Sequence, residues 1–154
     1  MLRWRIQIRP STNNQCFQNL FGVYTGDEWH IAVDMNRGKG SLICSAHKGT
    51  IIGADRDNYG VISIYDEIKD VTYRYYHMDI DQSIVLEKKV LVGDILGKQS
   101  NKGIGIPSHL HFEVLKGRCA HDATFGVKPH SNWDQYPMYP QTQSTQALSP
   151  YDYM

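Results

Sequence analysis

The chain contains no apolar run approaching the roughly 20 residues that a bilayer-spanning helix needs, so membrane insertion is not expected. Its opening, Met1-Leu2-Arg3-Trp4-Arg5-Ile6-Gln7-Ile8-Arg9, lacks the continuous apolar stretch of a secretory signal. The expectation is therefore no signal peptide, with any route out of the cell being lysis or packaging in a particle. An excess of one charge is also missing: 16 Lys and Arg balance 16 Asp and Glu. No overall field then favours nucleic acid or an anionic membrane as a partner. Cysteines are few, odd in number and far apart (Cys16, Cys44, Cys119), which excludes a disulfide framework and points to reduced, structural thiols. Apolar residues nowhere follow the helical period for more than about two turns, and no internal repeat is found.

What is present is a series of short β-prone segments. Leu2, Trp4, Ile6 and Ile8 alternate with Arg3, Arg5, Gln7 and Arg9, the pattern of a strand with one buried face. Strands are expected at 42–44, 50–52 and 61–65, and at 71–77 after a polar turn at 66–70. Further apolar pieces fall at 84–86, 90–92, 95–96 and 109–115. The expected fold is all-β: a compact antiparallel sheet or sandwich of short strands, with few or no helices. The 154 residues suffice for one domain with a true core. We divide the chain into an opening strand and turn (1–19), a central domain (20–125) and a polar tail rich in Pro, Gln and Tyr (126–154). That tail's composition predicts either a disordered end or an arm that docks on the domain or on a larger particle.

The chemistry gathers in two places. In His109-Leu110-His111 the histidines are two residues apart in a β-prone run, so both lie on one strand face roughly 7 Å apart at about 3.3 Å per residue. Upstream stands His30-Ile31-Ala32-Val33-Asp34. Residues at i and i+4 of a straight strand would be roughly 13 Å apart, so His30 and Asp34 can share one ion only from a bent strand and loop. Gly26-Asp27 and Met35-Asn36-Arg37-Gly38 favour such a bend. His111 is the best third ligand. Two imidazoles and a carboxylate leave one position open, the pattern of a catalytic zinc site with one Zn2+ per chain. His109, one pleat away, would flank that position, and His77, closing the Tyr73-to-Tyr76 segment, is the remaining histidine at a strand end. Two such histidines can move protons there, and the residues alone leave open which of them is the base. His47, His121 and His130 read as structural. Trp29, Tyr59, Tyr73 and Tyr75 are candidates for lining a groove, about half of them as ordinary packing.

The same segments resemble the lysostaphin and LytM type of zinc endopeptidases, which cut peptide bonds in bacterial peptidoglycan. The family's His-x-Gly-x-Asp corresponds to His30-Ile31-Ala32-Val33-Asp34, its Tyr-x-His to Tyr75-Tyr76-His77, and its His-x-His to His109-Leu110-His111-Phe112-Glu113-Val114. Ala46-His47-Lys48-Gly49-Thr50-Ile51-Ile52 and Val90-Leu91-Val92-Gly93-Asp94-Ile95-Leu96-Gly97 are also similar. The likeness runs from about Phe21 to Gly117, with two departures: Ala32 replaces a glycine, and a glycine before the paired short strands is missing at Glu87-Lys88-Lys89. The resemblance implies His30, Asp34 and His111 as zinc ligands, His77 and His109 as catalytic histidines, and peptidoglycan peptides as substrate. Together with the opening's lack of a signal, it suggests a bacteriophage lysis enzyme or a virion-borne wall-cutting component. Competing classes are a non-catalytic family member that binds a partner or serves as a virion structural protein, and a phosphocarrier. The full ligand set argues against both.

Overall fold

The structure, a computed structural model, describes residues 24–25, 28–29, 32–103, 107–120 and 147–154. The alternating segment 1–9, Cys16, His30, residues 104–106, His121, His130 and Trp133 lie outside the described residues, and so does the side chain of Trp29. The strands are β1 (Tyr24–Thr25), β2 (Glu28–Trp29), β3 (Val33–Met35), β4 (Leu42–Cys44), β5 (Gly49–Asp55), β6 (Val61–Asp66), β7 (Val71–Tyr76), β8 (Met78–Ile80), β9 (Lys89–Val90), β10 (Ile95–Gln99), β11 (Leu110–Lys116) and β12 (Ala147–Leu148). A single 3-10 turn at Pro150–Asp152 is the helical structure among the described residues, and no helix there is long and apolar enough to cross a membrane. The fold is all-β and antiparallel, as the sequence pattern requires.

Seven strands form one sheet in the order β12-β11-β7-β6-β5-β9, with β3 also paired to β11, and β4-β10-β8 form a second sheet. The core lies between them. Ile62, Ile64, Tyr73, Tyr75, Phe112 and Val114 from the large sheet share one buried cluster with Ile43, Met78, Ile80 and Leu96 from the small one. Period-two alternation builds this core: Phe112 stands opposite Tyr75, and Val114 opposite Tyr73, while Glu113 stands opposite Arg74 on the other face. Tyr73 and Tyr75, offered by the sequence as groove candidates, are wholly buried and belong to the core.

The chain passes from the large sheet to the small one at His77. Its backbone has φ +64°, a left-handed conformation rare for a side chain of this size. Neighbouring segments hold it there. The His77 amide donates to the Tyr59 carbonyl (2.9 Å), the Met78 amide to the Gly60 carbonyl (3.0 Å), and the Ser100 amide to the His77 carbonyl (2.7 Å). The Tyr59-Gly60 turn is shaped in turn by Asp55, whose carboxylate accepts from the amides of Asp57, Asn58 and Tyr59. Gly60 must be glycine: its φ is +61°, and a Cβ would run into the Met78 backbone.

One segment differs from expectation, and the end of the tail takes one of the two courses expected of it. The apolar piece 84–86 links two turns rather than forming a strand: the Ile84 amide donates to the Asp81 carbonyl (3.0 Å), the Lys88 amide to the Val85 carbonyl (3.2 Å), and the Arg56 guanidinium takes the Ile84 carbonyl (2.6 Å). The last residues of the tail also join the domain. Leu148 and Ala147 pair with Val114 and Leu115, and Leu148, Tyr153 and Met154 pack against the core. Averaged over 126–154, the polar composition hides this short apolar end.

His47 ties that end down. Its ring stacks on Tyr73 (centroids 3.6 Å apart, planes 8° apart), and its Nε2–H donates to the Tyr153 carbonyl at 2.6 Å. Burial lowers its pKa to about 4, the Tyr153 carbonyl opposing and the Lys69 charge assisting. The folded state thus binds this proton less readily than the unfolded chain, whose histidines titrate near 6.5. Stability is complete above about pH 6.5 and falls with acid towards pH 4, by up to about 1.4 kcal/mol per pH unit for one such group. In His47→Gln the urea midpoint should decline less steeply across that window than in the wild type. Parallel declines would remove His47 from the acid response.

Candidate active site

Asp34, His77, His109 and His111 are brought together from three places in the sheet. The β11 register sets His111 opposite Asp34 of β3 on one side and opposite Tyr76 of β7 on the other. His109 precedes β11 on the same face, and His77 follows β7. One nitrogen from each of His77, His109 and His111 lies within 4.8 Å of the others, a group that could hold a metal ion. The Asp34 carboxylate completes the cluster, with Oδ1 2.9 Å from His111 Nδ1 and 3.5 Å from His109 Nε2. The bend the sequence requires before Asp34 is present at Ala32, while His30 falls outside the described residues.

The environment fixes how each ring is used. A carbonyl only accepts, so His77 Nδ1 carries a proton donated to the Lys102 carbonyl at 2.6 Å, and His77 Nε2 is left with its lone pair. The ring is buried and neutral. Burial first, then the positive charge of His111, hold its pKa down to about 3 against the pull of the Lys102 carbonyl. The His109 ring is oriented in the same way, with Nδ1–H directed to the Pro107 carbonyl at 3.2 Å. His111 is different. Its Nδ1 faces Asp34 and its Nε2 faces Glu113 Oε1 at 3.0 Å. Burial pulls its pKa down, but the hydrogen bonds to Asp34 and Glu113 outweigh it and set the value at about 9.

Glu113 is the residue the sequence reading passed over, quoting it only within a motif. It is completely buried, with Arg74 Nη1 3.5 Å from Oε2. Arg74 also donates from Nε and Nη2 to the Cys119 carbonyl (3.0 and 2.9 Å). The Tyr76 hydroxyl bonds to Glu113 too, and burial raises its pKa well above the usual 10, so it stays a donor. The same period of two that selects His109 and His111 places Glu113 on their face, which was the available signal.

The donors suit a zinc ion. Imidazole nitrogen and carboxylate oxygen are the ligand types zinc accepts, and tetrahedral bonds of about 2.0–2.1 Å put neighbouring donors roughly 3.3 Å apart. The separations from Asp34 to His111 and His109 lie on either side of that value.

Solved structures share this architecture. The catalytic domain of the antimicrobial peptidase lysostaphin from Staphylococcus simulans superposes with a TM-score of 0.66 at 18% identity, covering 90% of this chain and 91% of its own. LytU gives 0.63 at 22% identity, covering 90% and 83%. A zinc-containing peptidase from Vibrio cholerae gives 0.51 at 24%, over 57% of this chain and 27% of its own. At such identities the likeness establishes the fold. Comparison with curated protein sequences finds none that matches. The sequence itself decides the family: residues 28–123 match Peptidase family M23, and the chain belongs to that family.

Proposed function

We propose that this protein is a zinc-dependent endopeptidase that hydrolyses peptide bonds in bacterial peptidoglycan, in the stem peptide or the cross-bridge. The observation that carries this reading is the Asp34 carboxylate set between His111 and His109, with His77 beside them. Membership of a peptidase family and a fold shared with an antimicrobial peptidase and a zinc-containing peptidase support it. Asp34 and His111 would hold the metal, joined by His30 of the same motif. Asp34 lies nearer to His111 than to His109, and His111 Nδ1 points at it. Bound there, zinc would supply Lewis acidity to polarise the scissile carbonyl and acidify a water.

The chain's own groups then handle protons. Hydrolysis adds water across the C–N bond, so one proton must leave the attacking water and one must reach the departing amine. His77 and His109 each engage a backbone carbonyl through Nδ1, which orients the rings, and their Nε2 atoms, that of His109 beside the Asp34 carboxylate, would carry this transfer. Backbone hydrogen bonds hold the His77 main chain, and the Lys102 carbonyl holds its ring.

In His111→Ala, both bound zinc and release of peptides from purified walls should be lost, measured by elemental analysis and by mass spectrometry of soluble muropeptides. Stoichiometric zinc in that variant would overturn the ligand assignment. His109→Ala should keep its zinc while turnover drops about 100- to 10,000-fold, the usual contribution of an acid–base group. An unaltered rate would remove His109 from the reaction. A wild-type protein that binds zinc but releases nothing from any wall would favour the non-catalytic family member instead.

A further inference from the structure

We propose that Glu113, anchored by Arg74, is a positioning residue that fixes the His111 ring for metal binding. The proposal rests on the zinc reading above. Three observations support it. First, Glu113 Oε1 lies 3.0 Å from His111 Nε2, on the side of the ring opposite the Nδ1 that faces Asp34. A ring held at both nitrogens cannot flip, and a carboxylate on the far nitrogen both sets the tautomer and makes the near one a better donor to a metal.

Second, Glu113 is wholly buried in a strand, where an ionised carboxylate without partners would be very costly. The surroundings are built to keep it charged. Arg74, equally enclosed, stands directly across in the β11–β7 register, with Nη1 3.5 Å from Oε2, and its other nitrogens are tied to the Cys119 carbonyl. Third, the Tyr76 hydroxyl is shared between Arg74 and Glu113, while the Tyr76 ring meets His111 edge-on with centroids 5.2 Å apart. Arg74, Tyr76 and Glu113 thus form one buried polar unit that meets the site at His111 Nε2.

A chain stabilised merely by burying Glu113 and Arg74 together would not need the carboxylate within hydrogen-bond reach of that nitrogen. Positioning makes a separate demand: withdrawing the carboxylate should weaken the metal without dismantling the fold. Glu113→Gln keeps the shape and removes the charge. Glu113→Asp keeps the charge facing Arg74 but pulls the carboxylate back by one methylene, and it serves where the glutamine variant does not fold.

The measurement is zinc affinity by competition with a chromophoric chelator. It is paired with side-chain nitrogen NMR of the metal-free protein, which reads the protonation and hydrogen bonding of His111. Both variants should bind zinc about 10- to 100-fold more weakly than the wild type, with the His111 Nε2 resonance displaced and the His109 and His77 resonances retained. Wild-type zinc affinity in a folded variant would overturn the positioning role while leaving the peptidase reading intact. A wild-type protein that takes up no zinc would instead overturn the zinc reading, and this proposal with it.

Discussion

The structure depends on β11 having two working faces. One face sends Leu110, Phe112 and Val114 into the core between the sheets. The other carries His109 and His111 to the site and Glu113 into the polar layer beneath it. Because the side-chain period of a strand is two, a one-residue slip would send the imidazoles into the apolar core and Phe112 into the polar layer. The apolar face therefore holds the register of the face that carries the histidines. On both sides the partners are equally fixed: β7 brings Tyr76 and Arg74 opposite His111 and Glu113, and β3 brings Asp34 opposite His111.

A second constraint is electrostatic. Asp34, His111, Glu113 and Arg74 are all buried, and each would be strongly unfavourable alone. Arranged in a row, they alternate in sign. The His111 ring satisfies Asp34, so the atoms proposed to hold the metal lie close together. The neighbouring His77 stays neutral, through burial first and the His111 charge second, and its Nδ1 proton is held by the Lys102 carbonyl.

Much of this was legible in the sequence, for definite reasons. Two histidines at i and i+2 in a β-prone run must share a face, and they do. The 61–65 and 71–77 segments alternate apolar residues around polar turn formers, and they pair as a hairpin. The need for a bend ahead of Asp34 followed from strand length alone. What escaped depends on contacts distant in sequence. The carbonyls of 80, 81 and 84 turn around Arg56 from another hairpin. Glu113 acquires meaning only beside Arg74, and the end of the tail finds its partner on β11, more than thirty positions earlier. Composition has no means of registering such pairings.

The outer edge of β11 is divided between two segments, β3 along Leu110 to Phe112 and β12 along Val114 and Leu115. Among the described residues, no run of amides and carbonyls on that edge of β11 stays open for an incoming chain to match. A polypeptide bound as proposed could not then add directly to β11 beside His111, and its recognition would fall to side chains and loops around the imidazoles.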